Sequence, residues 1–181
     1  EWFQFEHRDD IFLALAAVAE IDFELTELNP SDRRHEAVQA LADLDCPHLD
    51  LVIEAALGGP PSAAMVKAID VIRQSSGDSW IGRLMELLDE LDPNGHNMAA
   101  LAWLSCIEFL ISRGADATIR ERLPRVTSLI LGELALLSLE HYPDMAIDMF
   151  RRALRSSVPQ DRITAAAALA VVDQPWCRKE L

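Results

Sequence analysis

The chain has 181 residues, half of them apolar and a quarter charged, which is long enough to bury a core as one domain or as a short repeat array. Its formal net charge of −14 makes nucleic acids and anionic membrane surfaces poor partners, because a strongly negative field repels phosphates. Residues 1–100 hold 20 acidic against 6 basic side chains, so a basic protein partner and a purely solubilising role both fit this charge.

Helical segments separated by proline, glycine and asparagine breakers run along the chain, and the sequence has no alternating runs typical of strands. The first helices of the predicted hairpins cover residues 9–28, 47–57, 79–91, 116–124 and 143–156. The second helices contain the aligned stretches at residues 37–44, 65–72, 99–106, 132–139 and 165–172. The sequence therefore predicts an all-α protein of about five helical hairpins.

The five second helices align without gaps, with starts 28, 34, 33 and 33 residues apart. The fourth place is always alanine, at Ala40, Ala68, Ala102, Ala135 and Ala168. The fifth place is always large and apolar, at Leu41, Ile69, Trp103, Leu136 and Leu169. The eighth place completes a buried stripe, at Leu44, Ile72, Cys106, Leu139 and Val172. Because alanine lets helices approach closely, each second helix should pack against its own first helix and the next repeat, as in a solenoid.

This pattern resembles HEAT repeats, in particular the short bacterial type that is also found in phycobilin lyases. The resemblance covers nearly the whole chain and implies a right-handed α–α superhelix, with a single array over residues 1–181. Because the first residue is not Met, we expect the array to be a fragment of, or to be trimmed from, a longer chain. The fourth repeat departs from the pattern, since Glu133 occupies a normally apolar place and Pro124 should shorten its first helix.

Compartment signals in the sequence favour a cytoplasmic protein. The apolar stretch at residues 11–21 is too short to span a bilayer, and no signal peptide is evident. Three cysteines are too few and too unevenly spaced for a disulfide framework: Cys46, Cys106 and Cys177. Cys46 and His48 lie close together, but no second ligand cluster accompanies them, so zinc binding is not expected.

The His35–Glu36 pair raises the question of a metal centre. It resembles the His-Glu motif of deoxyhypusine hydroxylases, HEAT-like proteins in which several repeats contribute such pairs to a di-iron site. The positions equivalent to His35–Glu36 in the other repeats hold no such ligand pair. They are Ala63–Ala64, Asn97–Met98, Ile130–Leu131 and Ile163–Thr164. One repeat cannot surround two irons, so we expect no metal, no cofactor and a solvated pair near a helix N-terminus.

Two classes of function fit the sequence. The first is a non-catalytic scaffold that binds a peptide, a helix or a protein on the surface of its second helices. The alternative is an enzyme or enzyme subunit, lyase-like by the resemblance to phycobilin lyases or contributing part of a metal-dependent hydroxylase site. We expect the scaffold, because the register does not bring several titratable side chains together and no catalytic motif is present.

An apolar surface is the first candidate binding site. The third and sixth places of each second helix point away from the buried stripe, and in the first two repeats they are Gln39, Ala42, Lys67 and Asp70. In the third and fourth repeats they are Leu101, Leu104, Leu134 and Leu137, followed by Ala167 and Ala170 in the fifth. We expect the four leucines either to line a groove for an amphipathic helix, an apolar segment or a second copy, or to be covered by neighbouring helices.

An acidic cluster is the second candidate. It consists of the four carboxylates Glu86, Asp89, Glu90 and Asp92. Such a cluster could attract a basic peptide or a divalent cation, or it could be the solvated face of a helix whose leucines face the core.

Overall fold

A computed structural model describes residues 30–43, 49–75, 78–95, 97–127 and 130–172, and this part of the chain is all-helical. Its nine α-helices are α1 (Pro30–Asp43), α2 (Leu49–Leu57), α3 (Ala63–Gln74), α4 (Ile81–Glu90), α5 (Asn97–Ser112), α6 (Asp116–Arg122), α7 (Leu131–Ser138), α8 (Pro143–Leu154) and α9 (Pro159–Val171). The all-α prediction is confirmed for these residues. The predicted helix at 9–28 and the residues Cys46, His48 and Cys177 lie outside the described residues.

The chain divides into two compact units, Glu1–Arg83 and Leu84–Leu181, which are described separately. In the first unit, α1 and α2 both pack against α3. The Ser62 hydroxyl caps α3 by accepting the amide N–H of Met65 at 3.4 Å. The first, fourth, fifth and eighth places of the aligned stretch in α3 are all buried, at Met65, Ala68, Ile69 and Ile72. The predicted buried stripe is therefore confirmed in this helix.

The second unit repeats the same contacts with other helices. Here α9 packs against both α7 and α8, α7 packs against α8, and α5 packs against α6 and α7. The stripe in α5 is also as predicted, with buried side chains at Ala99, Ala102, Trp103 and Cys106. Thus α3 and α9 each contact the first helix of their own hairpin and the second helix of the preceding hairpin.

Hydrogen bonds within the second unit join side chains separated by one repeat length. The Arg122 guanidinium donates to the Asp89 carboxylate at 2.7 Å. The Asn94 amide oxygen accepts the backbone N–H of Thr127 at 2.8 Å and the Thr127 hydroxyl at 3.0 Å. Each of these pairs is 33 residues apart, which equals the spacing of the aligned second helices. Equivalent positions of successive hairpins are therefore side by side.

A polar turn joins α8 to α9. The Ser156 hydroxyl donates to the buried Asp161 carboxylate at 2.5 Å and accepts the backbone N–H of Val158 at 3.1 Å. The Arg162 guanidinium donates to the Ser156 carbonyl at 2.7 Å. Because Asp161 lies in the first turn of α9, its carboxylate also faces the positive end of that helix. These contacts hold the last hairpin closed.

The fourth hairpin differs from the others in its first helix. As predicted from Pro124, α6 is short: it has seven residues and gives way to a 3-10 turn at Leu123–Arg125. Gly114 ends the preceding segment with a φ of 70°, a backbone conformation that glycine adopts without strain.

The stripe of α7 is displaced by one residue from the predicted register. The buried stripe of this helix begins at Leu131 and not at Gly132. It consists of Leu131, Leu134, Ala135 and Ser138. Leu136, predicted to be buried in the stripe, is 43% exposed, so the stripe prediction is wrong at this place. Leu134 is fully buried, which corresponds to the alternative that neighbouring helices cover it.

The charge of Glu133 gives a physical reason for the displacement. In the predicted register this carboxylate occupies the second place, which is buried at Val38 and Ala100 and half-buried at Val66 and Ala166. In the observed register it occupies the third, outward-facing place and is exposed. Burying an unpaired carboxylate costs far more than exposing one leucine, so α7 turns by about one residue, or 100°.

Candidate interaction surface

The outward sides of α5 and α7 carry exposed leucines. On α5, Leu101 is 37% exposed and Leu104 is half-buried. On α7, the exposed Leu136 takes the place predicted for the buried Leu134, and Leu137 is half-buried. Three of the four predicted leucines thus reach the surface, and Leu136 was missed.

A shallow groove of about 210 Å³ connects these two helices at their N-terminal ends. Its lining residues come from the first turn of α5 and from the start of α7: Asn97, Ala100, Leu101, Ile130 and Glu133. Because both helices begin at this groove, the side chains one turn further along, Leu104 and Leu136, extend the same face. Helix geometry thus places Leu104 and Leu136 next to the residues that line the groove, and we call this row of side chains the apolar strip.

The apolar strip continues onto α9, which packs against α7. Ile163 is 60% exposed and Val171 is 81% exposed, and both large side chains lie on the same side of the helix as the exposed Ala167 and Ala170. The sequence alignment missed Ile163, which precedes the aligned stretch. We call the combined face of α5, α7 and α9 the apolar face; its residues are Leu101, Leu104, Leu136, Leu137, Ile163, Ala167, Ala170 and Val171.

Carboxylates border the part of the apolar face that α5 and α7 form. Glu133 lies in the groove beside Leu101. Glu140, just beyond α7, is exposed four residues after Leu136, and the half-buried Glu108 lies four residues after Leu104. Residues four apart share one side of a helix, so the leucines of α5 and α7 lie between acidic side chains.

The outward side of the first unit is polar instead. The Gln39 amide donates to the Asp43 carboxylate at 2.6 Å on α1. On α3, Asp70 and Arg73 form an ion pair at 3.3 Å, and Lys67 lies on the same outward side. These groups bind one another and leave no comparable run of exposed leucines on the described parts of α1 and α3.

The predicted acidic cluster is exposed, but part of it is engaged within the fold. Asp89 binds Arg122, and the Asp92 carboxylate accepts the backbone N–H of Asn94 at 2.9 Å. Glu86 and Glu90 are also exposed on α4. Asp89 and Asp92 therefore stabilise contacts of the second unit.

A second groove of about 260 Å³ lies between the 3-10 turn and α8. Its floor includes the buried Leu123 and Met149, and its rim carries the exposed Asp144 and Asp148. Arg152 also lines it, and its guanidinium donates to the Val126 carbonyl while lying 3.9 Å from Asp148. Pro124 and Met145 also line it, so this groove has an apolar lining with a charged rim.

The His35–Glu36 pair lies at the solvent side of α1, with His35 half-buried and Glu36 exposed. Among the described residues, no group of three or more His, Cys, Asp or Glu side chains is arranged to hold a metal ion.

Within the part of the chain that the structure describes, no helix has the length and apolar character needed to cross a membrane.

No protein-family model matches this chain, and no curated protein or solved structure matches it significantly. The resemblance to HEAT repeats therefore remains a prediction from the repeat register of the second helices.

Proposed function

We propose that this protein is a non-catalytic scaffold with a HEAT-like, right-handed array of hairpins, and that its apolar face binds an amphipathic helix of another protein. The observation that carries the proposal is the exposure of large apolar side chains on three neighbouring helices, at Leu101, Leu136 and Ile163. A folded chain seldom exposes such a face without a use, because exposed apolar area promotes association.

The repeat contacts support the array. In each unit one second helix, α3 or α9, packs against its own first helix and against the preceding second helix. The hydrogen bonds at a 33-residue separation join equivalent sites of successive hairpins. Such contacts between neighbouring repeats are typical of solenoids, whose second helices often form an extended binding surface.

An amphipathic helix suits the shape and chemistry of the apolar face. Leucines one turn apart on α5 and α7 leave a strip that can accept side chains at helical spacing. A second copy of this chain is a poorer occupant, because its own bordering carboxylates and net charge of −14 would be brought against like charges. The proposed occupant is therefore a partner helix and not another copy of the chain.

A designed peptide can test this proposal directly. The probe is a helical peptide of roughly 18 residues with leucines on one side and glutamines elsewhere. We expect it to bind the wild-type protein and to bind Leu101→Gln and Leu136→Gln at least about tenfold more weakly, since each change removes apolar contact area. Titration calorimetry gives the affinities, and thermal unfolding shows whether each variant stays folded.

Leu51→Gln is the matched control, because Leu51 is an exposed leucine on α2, a helix of the first unit that does not belong to the apolar face. Its peptide affinity should equal that of the wild type. Equal affinities for all three variants, or no binding by the wild-type protein, would refute the proposed site. Self-association that is lost in Leu136→Gln without any peptide binding would show that a second copy is the occupant.

A further inference from the structure

We infer that the partner helix carries lysine or arginine residues at both ends of its apolar side, which bind the carboxylates bordering the apolar face. This inference rests on the proposed function, since it specifies the partner of the same surface. It concerns the flanking charges, whereas the proposed function concerns the apolar contact.

The position of Glu133 is the first argument. Its carboxylate lines the groove that Leu101 and Ile130 also line, so a helix bound to these apolar side chains would pass beside it. The groove lining contains no basic side chain among the described residues. A cationic group from the partner would therefore meet an acidic side chain there.

The opposite end of the strip supplies the second argument. Glu140 is exposed just beyond the end of α7 and follows Leu136 by four residues. From Glu133 to Glu140 the chain advances seven residues, about two helical turns or 10 Å. A partner helix has the same rise, so its basic residues should lie about seven positions apart, with the leucine-type residues between them.

The energetics also favour a cationic partner over a neutral or acidic one. Glu133 must stay near water to avoid the cost of burying its charge, which is why α7 exposes Leu136. A bound helix that covers Leu136 would take water away from this carboxylate unless it provides a cation or a hydrogen-bond donor. An acidic helix would instead be repelled by both borders.

Three peptides with identical leucines and different flanking residues test the inference. Their flanks are lysine, glutamine or glutamate at two positions seven residues apart, and their affinities are measured by titration calorimetry at low salt. We expect the lysine peptide to bind roughly 2- to 30-fold more tightly than the glutamine peptide, the range expected for two exposed charge pairs. The glutamate peptide should bind most weakly, and added salt should reduce the difference.

The protein variants Glu133→Gln/Glu140→Gln and Glu86→Gln/Glu90→Gln change the net charge equally and so separate local from overall attraction. The first pair should remove most of the preference for lysine, while the second pair should retain it. Equal losses in both variants would overturn the inference, because the attraction would then come from net charge alone. Equal affinities of the three peptides would overturn it while sustaining the proposed function, whereas no binding of any peptide would overturn both.

Discussion

The outward sides of α3 and α7 show how one helical register can serve two surfaces. On α3 the outward side chains include Lys67 and Asp70, and Asp70 is paired with Arg73. On α7 they include Glu133 and Leu136, and the leucine is exposed. Both helices bury the first, fourth, fifth and eighth places of the aligned stretch when the stretch of α7 is begun one residue earlier, at Leu131. The core pattern thus fixes which side faces in, and the other side is free to be polar or apolar.

The largest expected effect is the difference in free energy of unfolding between variants of Leu134 and Leu136, which lie on opposite sides of α7. Leu134→Gln should lower the free energy of unfolding by about 3 to 5 kcal/mol, because it leaves a cavity and buries an amide. Leu136→Gln should change it by less than about 0.5 kcal/mol, because Leu136 already meets water. Urea unfolding of both variants measures the difference. If Leu136→Gln destabilised the protein more than Leu134→Gln, the register predicted from the sequence would be the correct one.

An intermediate effect concerns the alanine column, which both units share. Ala68→Leu in α3 and Ala102→Leu in α5 should each cost about 1 to 3 kcal/mol, since both alanines are fully buried where helices approach. Ala167→Leu on the exposed side of α9 is the control and should be nearly neutral. If α3 tolerated the leucine while α5 did not, the two units would not share one packing pattern.

The smallest effect concerns the eighth place of the stripe, where α3 has Ile72 and α7 has Ser138. The Ser138 hydroxyl is buried and has no hydrogen-bond partner within the described part of the chain. Ser138→Ala should therefore raise the free energy of unfolding by about 1 kcal/mol, because it removes an unsatisfied polar group. Ser75→Ala, which deletes a hydroxyl that donates to the Ile72 carbonyl at 2.6 Å, should give no such gain. Destabilisation by Ser138→Ala would indicate that its hydroxyl is bonded in solution.

The positions of the helices could be predicted from the sequence because their limits depend on local signals. Pro143 and Pro159 begin α8 and α9, and Gly114 ends the segment before α6. These residues act through their own backbone geometry, so no knowledge of the packing is needed. The same holds for Pro124 and the short α6.

The rotation of α7 could not be predicted from the alanine column alone. In the stretch LGELALLS, leucines lie on both sides of Ala135, so two registers give almost the same apolar periodicity. Glu133 distinguishes them, since only one register leaves its charge in water. The exposed Ile163 was missed for a different reason: it precedes the aligned stretch, and its exposure depends on which helices cover α9.

Photo-crosslinking of the lysine-flanked peptide tests the central claim most directly. A benzophenone side chain placed among the leucines of the peptide reacts with the C–H bonds it contacts, and mass spectrometry identifies the modified residues. We predict crosslinks on α5, α7 and α9, at Leu101, Leu136 and Ile163, and none on the polar outward sides of α1 and α3. Crosslinks concentrated at Gln39, Lys67 or Asp70 would contradict the account, because binding would then not follow the apolar face.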